Sequence, residues 1–322
     1  MISFSRCARW LAAASTALML LGSAFAQGYP NHPIKIVVAY PPGQSTDIAT
    51  RYFASKLSAA FNEGVVVENR PGAFGNIGTA YAARATPDGY TLVMGASGTH
   101  ALNPALYDNI GYDADKDFEP IIATAFIPMV ISVHPSLNVN SLPELIQLAR
   151  ARPDKIDVAL PSVTAQLVLE MIKRQNVPLF AIKYKGSGEA MTALLGNQVP
   201  VLIDTVAASR SQFGKIKPLA VTSAKAMTAL PDIKSVADQG LDGFNVVAWN
   251  VLMAPRGTPV EIRDRLAAEM LKILALPETT RTLHELGFEP APPMSHAQLA
   301  AWLRAERQTD ADIIRSTNMK AE

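Results

Sequence analysis

Residues 34–60 read IKIVVAYPPGQSTDIATRYFASKLSAA and contain the signals of a strand, a turn and a helix in immediate succession. The β-branched run Ile34–Ala39 predicts a buried strand, and the Pro-Pro-Gly sequence at 41–43 predicts a turn. Ser45 or Thr46 is then placed to cap a helix. The apolar face of that helix has helical spacing and consists of Ala49, Phe53, Leu57 and Ala60. The stretch therefore predicts the first unit of an α/β fold.

The same alternation of strands and helices continues along the chain. Val65–Val67 and Tyr90–Ala96 are predicted strands on either side of a helix at Asn76–Ala85, and this order indicates a parallel sheet covered on both faces. Further strands are predicted at Ile156–Leu160, Leu179–Lys183, Val199–Asp204 and Leu219–Thr222. Signals for helix starts occur at Ser141 with Glu144, at Thr258 with Pro259 and Glu261, and at Ser295 with Gln298.

Two apolar stretches, Pro120–Val133 and Val246–Ala254, stand outside the alternation. Each lies between one set of strands and helices and the next, so we interpret them as two crossings between lobes. The chain is long enough to form two cores. This interpretation assigns residues 27–124 and 250–322 to lobe 1 and residues 125–249 to lobe 2.

The first 26 residues predict a secretory signal peptide. Arg6 and Arg9 precede an apolar run at Leu11–Leu21, and Ala24-Phe25-Ala26 is a small-x-small cleavage pattern. We expect removal after Ala26 and a location in the periplasm; a retained anchor is disfavoured because the run is too short to span a bilayer. Cys7 is the one cysteine, so the mature chain would hold no disulfide and no cysteine metal site.

Charge and motifs argue against several functions. Without the two arginines of the leader, 27 basic and 28 acidic side chains remain, a balance that disfavours nucleic acid as a partner. The five histidines lack metal-ligand spacing. The glycines of Gly72–Gly78 miss the dinucleotide pattern. Ser97 near His100 offers a nucleophile and a base, but no acid follows at a characteristic spacing. We therefore predict that the protein is not an enzyme and needs no metal or cofactor.

Three loops of lobe 1 favour the binding of an anion. Gly43–Thr46, Phe74–Asn76 and Ser97–Thr99 each follow the C-terminal end of a predicted strand, the edge of an α/β sheet where ligands bind. Glycines at a helix start expose backbone N–H groups, and negative charge is favoured there. Each loop alone is better explained as a tight turn between a strand and a helix. Together they predict a cradle of uncharged donors for a small carboxylate.

Several strings are similar to a known family. They are Tyr29-Pro30 with Pro33-Ile34, Pro41-Pro42-Gly43, Val67-Glu68-Asn69-Arg70-Pro71-Gly72-Ala73, Gly75-Asn76-Ile77-Gly78, Pro87-Asp88-Gly89-Tyr90-Thr91-Leu92, Tyr184-Lys185-Gly186 and Leu219-Ala220-Val221-Thr222-Ser223. The chain resembles the extracytoplasmic receptors of tripartite tricarboxylate transporters, also called the Bug family. The resemblance covers nearly the whole mature chain in order.

The resemblance implies a two-lobed α/β periplasmic binding protein of the Venus-flytrap, type II-like class, each lobe a mainly parallel sheet flanked by helices. Such a receptor acts as a monomer, closes over a small carboxylate by hinge motion and delivers it to integral membrane transporter subunits. A sensory module that signals to a membrane kinase would use the same fold and is kept as an alternative.

The resemblance also implies which residues contact ligand. In lobe 1 they are Gly43, Ser45, Thr46, Asp47, Ala73, Gly75 and Thr99, and in lobe 2 Tyr184, Lys185, Gly186 and Asp204. The same loops add Gln44, Phe74, Asn76, Ser97 and Ser162 to the candidate set. Asp47 has an alternative role in capping its helix. Asp204 is placed to accept a hydrogen bond from a ligand amine or hydroxyl, or else to cap a turn.

Three departures from the family pattern bear on the ligand. Gln44 and Phe74 stand where the family usually has glycine. Leu160–Gln166 replaces a glycine- and serine-rich loop that ends in histidine, and it offers fewer donors. We therefore expect a ligand with one gripped carboxylate and a less polar, aromatic remainder that lies against Phe74.

Overall fold

The computed structural model describes residues 28–152 and 156–320, so the predicted leader and its cleavage point lie outside the described residues. The strands are β1 Ile34–Val38, β2 Val65–Asn69, β3 Thr91–Ala96, β4 Phe118–Val133, β5 Asp157–Leu160, β6 Phe180–Lys183, β7 Val201–Thr205, β8 Lys217–Val221, β9 Val247–Pro255 and β10 Glu289–Pro290. The helices are α1 Ser45–Phe61, α2 Asn76–Ala83, α3 Asn103–Leu106, α4 Leu142–Ala151, α5 Val163–Lys173, α6 Ser187–Leu195, α7 Val206–Ser209, α8 Val260–Leu274, α9 Pro277–Leu286 and α10 His296–Thr317. None of these helices is both long and apolar enough to cross a bilayer.

The sheet has two halves that share one strand. In the first half β2, β1 and β3 are parallel neighbours, and β9 joins β3 in the antiparallel sense. In the second half β6, β5 and β7 are parallel neighbours. The predicted strand-helix units are therefore confirmed in both halves.

Strand β4 links the two halves and makes the sheet mixed. Its N-terminal part, up to Pro128, is antiparallel to β9, while Met129–Val133 is antiparallel to β7 and β8. Both predicted crossings thus lie in extended strands. The predicted lobes are mainly parallel only in their outer strands, because β4 and β9 run against their neighbours. The lobe boundaries drawn from the sequence stay a prediction.

Each half has its own apolar core. In the first half the buried face of α1 packs on β1, with Phe53 and Leu57 fully buried. Ala60, predicted on that face, is exposed because it lies at the end of the helix. In the second half, α5 covers the sheet with fully buried side chains such as Val168 and Leu169. The two cores leave a cleft between them that is lined by loops and helix starts.

The helix-start signals were right at the last helix and in part elsewhere. Ser295 and Gln298 form a capping box at α10. Ser141 caps α4, but the Glu144 carboxylate accepts from the N–H of Asn140 instead of the cap residue.

Two predicted caps are wrong. Helix α1 starts at Ser45 and its cap position is Gln44, whose side chain makes no cap hydrogen bond. Helix α8 starts at Val260, which leaves Pro259 at the cap position. The Thr258 hydroxyl donates to the carbonyl of Pro255, a residue that precedes the helix, and does not cap α8.

Candidate ligand-binding site

Two connected spaces lie between the halves of the molecule. The inner cavity has a volume of about 40 Å³. The outer chamber has a volume of about 550 Å³. The two spaces share the lining residues Tyr40, Gly98, Ser162 and Thr164. A ligand that reaches the inner cavity with one end would therefore occupy the chamber with the other.

Three helices begin at the inner cavity. Ser45 and Thr46 open α1, Thr164 lies in the first turn of α5 and Ser187 opens α6, and all four line the cavity. The first N–H groups of a helix have no partner within it, and the helix dipole adds partial positive charge there. Ser162 caps α5 by accepting from the N–H of Ala165. This arrangement favours a carboxylate at the cavity.

Asp204 is the carboxyl group of the inner cavity. It ends β7, its side chain is 2% exposed and its Oδ1 accepts the backbone N–H of Thr205 at 2.7 Å. Its Oδ2 has no hydrogen-bond partner. Burial raises the pKa of Asp204 to about 7, although the N–H of Thr205 and the neighbouring hydroxyl groups of Ser187 and Thr205 act in the opposite direction.

Tyr40 lies at the junction of the two spaces and is held by glycines. A Cβ atom on Gly98 would lie 2.7 Å from the Tyr40 hydroxyl oxygen, so only glycine fits there without displacing the ring. A Cβ atom on Gly75 would lie 3.4 Å from the ring and 2.6 Å from Cγ2 of Thr99. Gly75 and Gly98 therefore leave the space that the Tyr40 side chain occupies in the wall of the site.

The loop at Gly72–Gly75 shapes the outer chamber. All four residues have positive φ, including Ala73 at 45° and Phe74 at 52°. Left-handed backbone is costly for residues with a side chain and is often found at ligand sites. The Asn103 side chain holds the loop by donating to the Phe74 carbonyl at 3.0 Å. The loop places Phe74 on the chamber wall.

The chamber wall is apolar inside and charged at its mouth. Pro71, Pro161 and Val163 line it together with Phe74. Exposed Lys183, Lys185 and Glu189 and half-buried Tyr184 complete the lining. Lys183 Nζ lies 6.0 Å from the centre of the Phe74 ring.

The two halves touch across the cleft. Gln44 Nε2 lies 3.5 Å from the carbonyl oxygen of Pro161, and Ser97 Oγ lies 3.5 Å from Oγ1 of Thr164. A Cβ atom on Gly186 would lie 3.3 Å from Gln44 Nε2. The cleft is therefore closed. We call this set of contacts, made by Gln44 and Ser97 with the second half, the seam of the cleft.

Most candidate residues from the sequence come together here. Gln44, Ser45, Thr46, Ser97, Ser162 and Asp204 line the inner cavity. Ala73, Phe74, Gly75, Ser162, Tyr184 and Lys185 line the outer chamber. Gly43, Asp47, Asn76, Thr99 and Gly186 line neither space.

Candidates outside the lining hold their own loops. The Asp47 carboxylate accepts the N–H of Gly43 at 2.9 Å, the Arg51 guanidinium at 3.0 Å and Nδ2 of Asn69 at 2.8 Å. Partial burial raises the pKa of Asp47, but these hydrogen bonds outweigh it and lower the pKa overall. Asp47 thus ties the first loop to α1 and β2.

The side chains of Asn76 and Thr99 are likewise bonded within the first half. Asn76 Oδ1 accepts from Nδ2 of Asn103 and from the hydroxyl of Tyr112. Thr99 Oγ1 donates to the Ala96 carbonyl and pairs with Nδ1 of His100 at 2.9 Å. Both residues therefore fix the second and third loops from behind.

The structure also tests whether Ser97 and His100 form a pair of nucleophile and base. His100 is fully buried, its Nδ1 is bonded to Thr99, and burial lowers its pKa to about 3. Ser97 faces Thr164 across the cleft instead. This arrangement gives Ser97 no general base from His100.

Sequence reasoning missed part of the lining. Tyr40, Thr164, Ser187, Thr205 and Trp249 all line the inner cavity. Thr164 and Ser187 follow predicted strands in lobe 2, so the rule that found the lobe 1 loops could have found them. Trp249 belongs to a predicted crossing, and no local signal shows which way its side chain points.

Comparison with known proteins identifies the family of the chain. A family model described as the tripartite tricarboxylate transporter family receptor matches residues 49–319. BugT of Bordetella pertussis is 32% identical over 301 residues, covering 92% of this chain and 92% of BugT.

Two solved structures are similar over most of the chain. R. palustris Rpa4515 with adipate has a TM-score of 0.88 at 33% identity and covers 91% of this chain and 99% of its own. The periplasmic binding protein BugD has a TM-score of 0.84 at 33% identity, with the same coverage of 91% and 99%. This chain therefore belongs to the family of tripartite tricarboxylate transporter receptors that includes the Bug proteins, and it has their two-lobed α/β binding fold.

Proposed function

We propose that this protein is a periplasmic receptor that captures a small carboxylate with one gripped carboxyl group and an apolar, aromatic remainder. The observation that carries the proposal is the meeting of three helix starts at the inner cavity, next to a chamber with an apolar wall. The helix starts favour the negative end of the ligand. Phe74 and Val163 offer the remainder an apolar surface.

A single carboxylate suits the chamber better than two. The positive side chains of the lining, Lys183 and Lys185, are exposed at the mouth. Exposed ion pairs contribute little because water screens them. The binding of adipate by Rpa4515, a similar chain, supports a carboxylate in general, and the apolar wall supports an aromatic one.

A ligand screen tests the proposal. Ligand-free protein is to be melted with benzoate, phenylacetate, adipate and citrate in turn. A ligand present at a hundred times its dissociation constant adds about 2.7 kcal/mol to the free energy of unfolding. We expect benzoate or phenylacetate to give the largest shift. Tight binding of citrate with no shift from either aromatic acid would disprove the ligand class.

A variant of the chamber wall provides the second measurement. Phe74→Ala should weaken the binding of the aromatic acid about tenfold, which corresponds to the loss of one aromatic contact. Phe180→Ala removes a ring that is 39% exposed and lies outside both spaces, so it should leave the affinity unchanged. Equal affinities of the two variants would count against the assigned wall.

We also propose delivery to integral membrane transporter subunits, which the family membership supports. Membrane vesicles that contain those subunits should accumulate the labelled acid only when the receptor is added. Normal uptake without the receptor, together with a ligand-dependent kinase response, would favour the sensory alternative.

A further inference from the structure

The inner cavity has an unusual charge balance for an anion site. Asp204 supplies a carboxyl group, and none of the described residues that line the cavity is lysine, arginine or histidine. Tyr40 is the other titratable side chain in the lining. A carboxylate ligand would therefore meet helix starts, hydroxyl groups and one acid.

Asp204 is poorly satisfied in the closed cleft. Its Oδ1 is bonded to the N–H of Thr205, but Oδ2 is buried without a partner. A buried polar atom without a partner is costly, and such atoms are rare in native proteins. Asp204 lines the cavity, so a bound ligand is placed to supply the partner that this oxygen lacks.

Two ionised carboxylates in one small cavity repel each other, whereas one shared proton joins them by a hydrogen bond. Resting on the proposed function, we propose that Asp204 binds the ligand as a neutral carboxylic acid. Its Oδ2–H donates to the carboxylate of the ligand, so that capture of the anion takes up a proton whenever Asp204 is ionised beforehand. The proton comes from solvent and stays on Asp204.

Burial makes this proton easy to supply. Burial in the closed cleft raises the pKa of Asp204 to about 7, so the neutral acid forms readily near neutral pH. A bound anion raises that pKa further. The apparent dissociation constant then equals its low-pH value multiplied by 1 + 10^(pH − 7). It should be about tenfold larger at pH 8 and about a hundredfold larger at pH 9 than at pH 6.

A ligand amine or hydroxyl that donates to ionised Asp204 would give a different result. An ammonium group stabilises the ionised acid, so binding would release a proton and would not weaken above pH 7. The sign of the proton exchange therefore separates the two arrangements.

Calorimetry provides the test. The acid with the largest thermal shift in the panel of benzoate, phenylacetate, adipate and citrate is titrated into the protein at pH 6, 7, 8 and 9. Buffers with different ionisation enthalpies give the proton count at pH 8. We expect affinity to fall about a hundredfold from pH 6 to pH 9, with uptake of close to one proton at pH 8.

Two variants complete the test. Asp204→Asn keeps a donor at the same position and has no proton to lose, so it should bind within about threefold of the parent at pH 6, with no dependence on pH. Asp310→Asn is the control, because burial raises the pKa of Asp310 also to about 7 while its side chain lies outside the inner cavity. It should keep the full pH dependence.

The outcomes are distinct. Affinity that is constant from pH 6 to pH 9, release of a proton, or an unchanged slope in Asp204→Asn would overturn the inference while leaving a carboxylate receptor intact. Binding of no acid at pH 6 would overturn the proposed function and the inference with it. Should Asp204→Asn fail to fold, the proton count of the parent protein decides alone.

Discussion

The backbone N–H of Gly43 donates to the carboxylate of Asp47 across 2.9 Å. This bond turns the first glycine loop back onto its own helix. The amide of Gly43 is therefore occupied, and Gly43 itself is exposed and lines neither space of the site. The ligand-facing part of the loop begins one residue later, at Gln44.

Removal of the Asp47 carboxylate should loosen this loop. Asp47→Ala leaves Gly43, Arg51 and Asn69 without their shared acceptor, so we expect the free energy of unfolding to fall by about 2–3 kcal/mol in urea denaturation. Asp312→Ala on α10 is the matched control, since its pair with Arg315 is exposed on both sides. It should leave the midpoint of urea denaturation nearly unchanged. Equal losses in the two variants would contradict the role given to Asp47.

Alanine substitutions at two glycines with positive φ distinguish the cost of backbone strain from the cost of steric crowding. Gly75→Ala combines a φ of 95° with a Cβ atom 2.6 Å from Thr99, whereas Gly43→Ala combines a φ of 82° with open space. We expect Gly43→Ala to cost about 1 kcal/mol and Gly75→Ala about 2–4 kcal/mol in thermal unfolding. Binding of the carboxylate should suffer only in Gly75→Ala, because Gly75 lines the chamber beside Tyr40. Loss of binding in both variants would contradict this separation.

The seam residue Gln44 should bias the ligand-free protein towards closure. Gln44→Gly removes the contact of Nε2 with the Pro161 carbonyl, a bond across the cleft worth about 1 kcal/mol. The ratio of open to closed molecules should then rise about fivefold. Small-angle scattering of the ligand-free variant should show a larger radius of gyration than the parent, and saturating ligand should remove the difference. Identical scattering without ligand would show that Gln44 does not hold the cleft.

A second acid with a raised pKa lies on α10, beside the chain crossings. Asp310 lines a third space together with Glu306, Glu289, Trp249 and Trp302, and this space shares three lining residues with the inner cavity. Burial, aided by the Glu306 charge, raises the pKa of Asp310 to about 7. A folded-state pKa above the unfolded value of about 3.9 means that the fold favours the protonated acid. Stability should therefore fall as the pH rises from about 4 to about 7, and the full penalty remains above that range.

Asp310→Asn should remove this penalty. At pH 8 we expect a gain of about 2 kcal/mol in the free energy of unfolding, less than the full shift implies because the side chain is partly exposed, and almost no gain at pH 4. Asp312→Asn, two residues along the same helix, has its pKa lowered by hydrogen bonds from Gln308 and Arg315 and should show no such gain. A gain in stability of Asp310→Asn that is equal at pH 4 and pH 8 would show that the Asp310 carboxyl does not titrate between these pH values.

The secondary structure was largely predictable because it is local. Hydrophobic periodicity located β1 and α1 within one or two residues, and the helix predicted at Asn76–Ala85 is α2, Asn76–Ala83. Helix caps were less predictable. Thr258 carries the right side chain for a cap, yet its hydroxyl meets the Pro255 carbonyl first. A residue pattern shows which bonds are possible, and the path of the backbone decides which one forms.

The sequence by itself determined an α/β chain with its loops at one edge of the sheet, and most of the candidate residues that it named line the cleft. Only the tertiary structure decided that Asp47, Asn76 and Thr99 hold their loops from behind, and that Tyr40 and Trp249 line the inner cavity. It also left one oxygen of Asp204 buried without a partner. The physical reason is that a side chain's neighbours come from strands and helices that are distant in the sequence, and these neighbours decide which direction the side chain can take.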